Sequence, residues 1–304
     1  MKFSIYQSSR QGGRKYNQDR VAYSYSKDTL LLVVADGMGG HLHGEVAAQL
    51  TVQLMASRFQ KLAHPVLRDP ATFLRQSMQD VHDAIGSYTE EHGLLETPRT
   101  TCVACVVQAG VAQWAHVGDS RLYLFRDANL LTRTMDHSKV QQLFEQGRIT
   151  EEQMSTHPER NKIYNCLGGM VSPTIELSEK VLLQDGDVML LCSDGLWSML
   201  SINEVASVVN AYPLSQAIQE LMDHAEFRGG QDGDNLSAAA MKWGETENAA
   251  GAQPVSTATM PMDAFATQIE QFDVAREIES GGVTEEDIER AINEIQTAIK
   301  KYSK

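Results

Sequence analysis

No apolar run in this sequence approaches the ~20 residues that a membrane-spanning helix needs. The first residues carry no apolar signal segment either. Both absences point to a cytoplasmic chain without a membrane partner. Basic residues are in short supply: 26 Lys and Arg face 40 Asp and Glu, a formal net charge of −14. Such a balance excludes a nucleic-acid or anionic-membrane surface. Cysteine is scarce, with 4 in 304 residues, which fits a reducing compartment. Cys102 and Cys105 form a C-x-x-C, but they lie in a β-like run. Residues three apart on a strand point to opposite faces, so core packing is expected, not a shared metal or disulfide. Cys166 and Cys192 have no partner by spacing.

What is present is a core of sufficient size, with 42% hydrophobic residues, and one device used repeatedly. In 31–40 an apolar, partly β-branched run stops at Asp36 and passes straight into glycine. It reads as a buried strand that ends in a carboxylate. A lone carboxylate at a buried strand end is costly unless a cation neutralises it. Gly37 lets the backbone turn a carbonyl toward such an ion. The run 188–194 repeats the pattern and ends in Asp194-Gly195. Asp234-Asn235 precedes another apolar run, 236–241. Three carboxylates far apart in sequence, each at a sheet edge, can converge on one site. Oxygen ligands alone suit Mg²⁺ or Mn²⁺, not zinc.

Five motifs then occur in order: Arg14-x-x-Asn17-Gln18-Asp19, Asp36-Gly37-Met38-Gly39-Gly40, Val117-Gly118-Asp119-Ser120-Arg121, Ser193-Asp194-Gly195 and Asp234-Asn235. Over residues 1–243 the chain resembles the metal-dependent serine/threonine protein phosphatases of the type 2C class, in their bacterial form. The order of the five carries the resemblance, because each motif alone is weak.

The coarse reading of the elements agrees with that class. Helical spacing covers 45–62 and about 70–92, with Phe73, Leu74, Met78, Val81 and Ile85 on one stripe. Strands are expected over 101–108 and 111–117 with a hairpin at Ala109-Gly110, then over 121–125. Asp119 falls in the tight turn before this last strand. Strands over 176–183 and 187–192 are expected to pair through Gln184-Asp185-Gly186, with helices over 202–209 and 214–227 after them. This order is not a βαβ alternation. It fits an α+β sandwich of two antiparallel sheets with helices outside, and the resemblance implies the four-layer α-β-β-α form. Residues 132–170 are loop-rich, and the resemblance makes them a flap beside the active site.

The resemblance also implies roles. Asp36 would bridge two metal ions, Gly37 would offer a carbonyl, and Asp194 and Asp234 would complete the first ion. Asp119 would help hold a third, weaker ion with Asp194. Arg14 would grip phosphate oxygens, since a planar fork suits a tetrahedral oxyanion. Asp36, Arg14 and Asp194 are thus the expected catalytic set. A water between two close cations would attack phosphorus directly. Two positions depart from eukaryotic relatives. Gln18 replaces a Glu, which leaves Asp19 to hold the waters of the second ion. Met38 replaces a His proposed to protonate the leaving oxygen, which Met cannot do. His41 and His43 are assigned no role. The implied activity is hydrolysis of phosphoserine and phosphothreonine in proteins, opposing a Ser/Thr kinase. The rival reading is a catalytically weak module of the same fold that binds phosphoproteins.

Beyond 243 the composition shifts. Residues 244–261 read as a flexible linker. Residues 262–304 read as an acidic helical hairpin, with Phe265, Ile269 and Phe272 on one stripe and Ile288, Ile292, Ile295 and Ile299 on another. From Gly244 on there are 12 acidic and 5 basic residues. The expectation is that this extension recruits a protein partner or a second copy, and that chemistry does not need it.

Overall fold

The computed structural model describes residues 1–38, 43–244 and 255–269. Its strands are β1 (Lys2–Arg10), β2 (Asp19–Tyr25), β3 (Thr29–Met38), β4 (Arg99–Thr100), β5 (Cys102–Gln108), β6 (Val111–Val117), β7 (Arg121–Arg126), β8 (Asn129–Arg133), β9 (Glu176–Leu177), β10 (Val181–Leu182), β11 (Val188–Cys192), β12 (Leu236–Trp243), β13 (Val255–Ser256) and β14 (Ala266–Ile269). The α-helices are α1 (Gly44–Leu62), α2 (Pro70–Glu91), α3 (Lys139–Glu145), α4 (Glu151–Met154), α5 (Asp194–Trp197), α6 (Ile202–Ala211) and α7 (Leu214–Gly229). Among the described residues one sheet runs β13-β1-β12-β11-β7-β8 and the other β10-β6-β5-β3-β2-β14, with β4 on β3 and β9 on β6.

Alternation along the strands builds the layers. Leu31, Val33 and Ala35 of β3 pack outward on α1 and α2, among Leu50, Met55, Phe59 and Leu74. Leu30, Leu32 and Val34 point inward against Met189, Leu191, Ala239 and Met241 of the facing sheet. That facing sheet turns Leu190, Ala238 and Ala240 outward onto Val205, Val209, Ile218 and Leu221 of α6 and α7. Both faces of each central strand are therefore buried, which explains why the runs read as continuous and not alternating. Truncating a residue such as Leu32, which has no exposed surface, to Ala costs about 2–5 kcal/mol. The result is the expected four-layer α-β-β-α sandwich. Cys102 and Cys105 are buried in opposite layers, as strand geometry requires.

Three expectations are corrected. The turn at Gly186 exists, with φ +89°, but the strands beside it do not pair. β9 and β10 join β6, while β11 pairs with β7 and β12. The turn thus passes from one sheet to the other. Secondly, the stretch 244–261 is not all linker. Val255–Ser256 pairs with Lys2 and Phe3, and buried Thr257 accepts a hydrogen bond from the Met1 ammonium at 2.7 Å. Thirdly, no helix starts at Asp263. Ala266–Ile269 is a strand paired with Ala22–Tyr25, and Phe265 packs edge-on against Phe59 and His64. The unpaired N–H and C=O groups of edge strands β1 and β2 are what these segments satisfy, and that pairing overrides a helical apolar period. The rest of the expected hairpin, 270–304, lies outside the described residues.

Within 132–170 the chain makes two short helices. Ser138 caps α3, and Thr150 and Gln153 form a capping box on α4. The stretch returns to the body through paired backbone bonds between Thr100 and Leu167.

Candidate metal centre

Each expected carboxylate sits where a chain segment leaves or enters a sheet. Asp19 opens β2 and lies directly across from Asp36 in the ladder. Asp194 begins α5, two residues after β11 ends. Asp234 precedes β12, and Asp119 lies in the crossing from β6 to β7, hence from one sheet to the other. The sandwich brings all five to one end.

Short bonds fix them. Ser193 Oγ donates to Asp19 Oδ2 at 2.6 Å, and Ser237 N–H donates to Ser193 Oγ at 3.0 Å. Asn235 Oδ1 accepts from the Gln18 N–H at 2.9 Å, and its Nδ2 donates to the carbonyls of Gln11 and Tyr16. This one amide latches the loop that carries Arg14. Arg14 Nη2 reaches Asp234 Oδ2 at 2.6 Å. Thr101 Oγ1 accepts from the Asp36 N–H at 3.1 Å, and Trp197 Nε1 donates to the Asp119 carbonyl at 3.0 Å. The glycines are sterically required. A Cβ on Gly37 would lie 2.3 Å from the Gly44 carbonyl oxygen, and one on Gly195 would lie 2.0 Å from that of Asn235.

The electrostatics are those of an acidic cluster without its counter-charge. Burial pushes the Asp36 carboxyl well above the usual range, and Asp19, Asp194, Asp119 and Asp234 push it further. Burial likewise raises Asp194, with Asp119, Asp234 and Asp19 adding and Arg14 opposing. Burial raises Asp19 to about 6 and Asp119 to about 7. Asp19 Oδ1 and Asp119 Oδ1 are buried without a hydrogen-bond partner. Orphaned carboxylate oxygens that repel one another are the signature of a site built for a cation. An all-oxygen donor set fits a hard divalent ion.

Sequence reasoning found the carboxylates and Arg14 but passed over Ser193, Thr101, Asn235 and Trp197 as working parts. Ser193 and Asn235 stand inside the motifs, so adjacency to Asp194 and Asp234 was the available signal. Gln18 points elsewhere: its amide donates to Glu45 Oε2 at 3.0 Å. His41 lies outside the described residues. His43 precedes α1 without a side-chain capping bond.

A second cluster, His116, His137 and Glu176, has the composition of a metal site but not its proton pattern. His137 Nδ1 accepts from the Gly118 N–H at 3.1 Å and from Asn165 Nδ2 at 2.7 Å. Thr174 fixes the Asn165 amide from both sides. The proton of neutral His137 therefore sits on Nε2 and points at Glu176 Oε2, 3.2 Å away. His116 Nε2 is 2.7 Å from the Met135 carbonyl and donates to it. Both Nε2 atoms are thus engaged as donors within the protein. The cluster is a polar clamp that ties His137 and Asn165 to the Gly118–Asp119 turn.

The family model described as protein phosphatase 2C matches residues 7–238. This chain belongs to the protein phosphatase 2C family. It is 34% identical to the serine/threonine phosphatase stp of Listeria monocytogenes, over 72% of this chain and 88% of that protein. It is 35% identical to the serine/threonine protein phosphatase PstP of Mycobacterium tuberculosis, over 72% of this chain and 41% of that one. The crystal structure of PstP superposes with a TM-score of 0.69 at 33% identity and covers 80% of this chain and 99% of its own. A structure of the PstP catalytic domain in complex with 2 manganese ions gives a TM-score of 0.66 at 31% identity, with coverage of 79% and 98%. The family segment ends before β13 and β14, so both strands of the tail lie outside the matched residues.

Proposed function

We propose that the chain hydrolyses phosphoserine and phosphothreonine esters in proteins, with Mn²⁺ or Mg²⁺ as the resident ions. The carrying observation is the convergence of Asp19, Asp36, Asp119, Asp194 and Asp234, with buried, unpartnered oxygens on Asp19 and Asp119, in a chain that belongs to a phosphatase family. Asp36, Asp194, Asp234 and Asp19, with the Gly37 carbonyl, would hold these ions, and Asp119 with Asp194 would hold a further, weaker one. When bound, the ions lower the pKa of a water from ~15.7 toward ~7 and clamp the attacking and leaving oxygens.

The chain's own residues do the rest. Arg14, held beside Asp234, presents a planar fork to the phosphoryl oxygens. Ser193 holds the Asp19 carboxylate through Oδ2, and Thr101 holds the Asp36 backbone at the end of its strand. Buried thiols are raised further above the ordinary range, Cys192 among them, which leaves no thiolate nucleophile in the core.

Turnover of para-nitrophenyl phosphate and of a phosphothreonine peptide tests the reading. Both require Mn²⁺ and disappear in Asp36→Asn. Metal-independent turnover, or none in the folded wild type, would overturn it. The rival binding-module reading fits less well, because the carboxylate set is complete. A Ser/Thr kinase supplies the phosphoproteins in this reading. Among the described residues no helix is long and apolar enough to cross a membrane, and we assign the chain to the cytoplasm. Residues 1–243 carry the chemistry, and the extension past β14 recruits a partner or a second copy.

A further inference from the structure

Just beyond Asp36, β3 pairs with β4, a segment of two residues. In the ladder Gly37 faces Thr100, and Met38 faces Arg99. The same register continues into β5, where Val34 faces Val103 and Leu32 faces Cys105. Directly opposed residues of an antiparallel pair project to the same side, and so do residues two apart on one strand. Leu30, Leu32 and Val34, with Val107, Cys105 and Val103, form the apolar lining between the sheets. Continued outward, that face carries Asp36 and Met38 on one strand and Thr101 and Arg99 on the other. Asp36 and Thr101 are bonded to each other, through Asp36 N–H to Thr101 Oγ1 at 3.1 Å and Thr101 N–H to the Asp36 carbonyl at 2.8 Å.

Arg99 therefore stands on the face of the metal centre, one like-facing step beyond Asp36, or about 7 Å along the strand. It is exposed, whereas Asp36, on the same face, is at most half-exposed at the floor. Its neighbour Thr100 is tied by paired backbone bonds to Leu167, where the flap rejoins the body. Its guanidinium is close enough to Cys166 to favour the thiolate there, against the dominant effect of burial. Among the described residues no ion pair of Arg99 is found. Two other arginines of this end are committed: Arg14 to Asp234, and Arg20 to Gln49 and the carbonyls of Asn17 and Asp19.

A chain of net charge −14 repels an acidic substrate. Over a screening length of ~8 Å only a local cation corrects this. We propose that Arg99 is a specificity residue that receives an anionic group flanking the phosphorylated residue of the substrate, either an Asp or Glu carboxylate or a second phosphate. The proposal rests on the phosphoprotein reading above. The reacting phosphate belongs among Asp36, Asp194 and Asp234, within reach of Arg14. Arg99 lies toward the rim, where a neighbouring substrate residue passes.

The test uses the full chain with Mn²⁺ and a set of phosphothreonine peptides that differ at one flanking residue: Glu, Gln, Lys or a second phosphothreonine. Wild type should favour an anionic flank over Gln by about fivefold in kcat/KM, the size of a rim ion pair. Arg99→Gln should bring that ratio to about 1, and Arg99→Lys should keep most of it. Arg99→Glu should reverse it in favour of Lys, a result that partial unfolding cannot mimic. A preference confined to the Glu peptide or to the doubly phosphorylated one supports the proposal and names the anion. An unchanged ratio in Arg99→Gln overturns it and leaves the phosphatase reading intact. An equal fall on every peptide and on para-nitrophenyl phosphate also overturns it, since Arg99 would then serve the reacting phosphate or the fold. A wild type that cleaves none of the peptides overturns the phosphoprotein reading and this proposal together.

Discussion

Arg121 lies flat against Trp197, with its Cζ 3.5 Å from the ring centroid. The same guanidinium grips Asp136 with both arms, at 2.8 and 2.7 Å. Trp197 belongs to the helix that starts at Asp194, and its Nε1–H holds the Asp119 carbonyl. Asp136 lies near the start of the stretch 132–170 and is buried. One stacked cation thus joins two acidic corners of the centre to the start of the stretch 132–170.

Removing one partner of that pair should be costly, because the other remains buried and uncompensated. Asp136→Asn should lower unfolding stability by about 3–5 kcal/mol. Arg121→Lys should also destabilise, since an ammonium can neither fork to a carboxylate nor stack as a plane. Urea midpoints at constant slope read both; a loss under 1 kcal/mol for Asp136→Asn would show the pair to be dispensable.

Asp36→Asn should separate metal binding from folding. In metal-free protein it removes a carboxyl whose ionisation burial and its neighbours oppose, so the unfolding temperature should rise slightly, by about 1 kcal/mol equivalent. With Mn²⁺ at 100 times its Kd, wild type should gain about 2.7 kcal/mol per occupied site. The variant should gain much less. Calorimetry with and without Mn²⁺ decides, and an equal Mn²⁺-induced shift in both proteins would remove Asp36 from the ligand set.

Asp119 sits at the edge of the cluster, and its neighbours differ from those of Asp36. Besides burial, its carboxyl feels Asp136 as the main anion and Arg121 as the main cation. Asp119→Ala should preserve the tight Mn²⁺ binding measured by titration while turnover falls about tenfold or more. Loss of all tight binding would instead place Asp119 in the principal site.

The tail strands bear directly on stability. A chain ending at Trp243 loses β13, β14 and the Thr257 contacts with Met1 and Lys27. It should unfold several degrees lower and associate through the exposed edges of β1 and β2. The milder Thr257→Val should cost about 1 kcal/mol, because it removes the bonds from Thr257 to the Lys27 carbonyl and the Met1 ammonium. Light scattering and thermal melts of both variants read this. A monomeric, equally stable truncated chain would show the strands to be ornamental.

One carboxylate predicts a pH window. Glu204 closes a capping box with Ser201 and pairs with Arg228. Its Arg228 bond, aided by the Ser201 bonds, holds it at about 2, below its ordinary 4.5. A depressed carboxylate stabilises the fold above its unfolded pKa and loses that contribution as pH falls through the folded value. The melting-temperature gap between wild type and Glu204→Gln should therefore be full above pH 4.5 and close toward pH 2. A gap that widens on acidification would contradict the assignment.

Much of this protein was legible in its sequence because the signals are local. A buried strand that stops at Asp-Gly, the hairpin at Ala109-Gly110 with both residues at positive φ, and the apolar stripe of α2 each follow from the chemistry of a few consecutive residues. The order of the motifs supplied the family, the layers and the expected ligands. Other features are decided by pairing over long stretches of chain, which no local period encodes. Ser193 meets Asp19 across 174 positions, and Asp119 reaches the cluster because its turn crosses between the sheets. Ala266–Ile269 abandons a helical apolar pattern because the open edge of β2 offers it hydrogen bonds. The direction of Arg99 likewise depends on the register that sets it opposite Met38. Composition and spacing determine which segments can be strands and which residues end them. The tertiary structure decides which edges meet, because satisfying backbone groups and burying both faces of two sheets are properties of the whole chain.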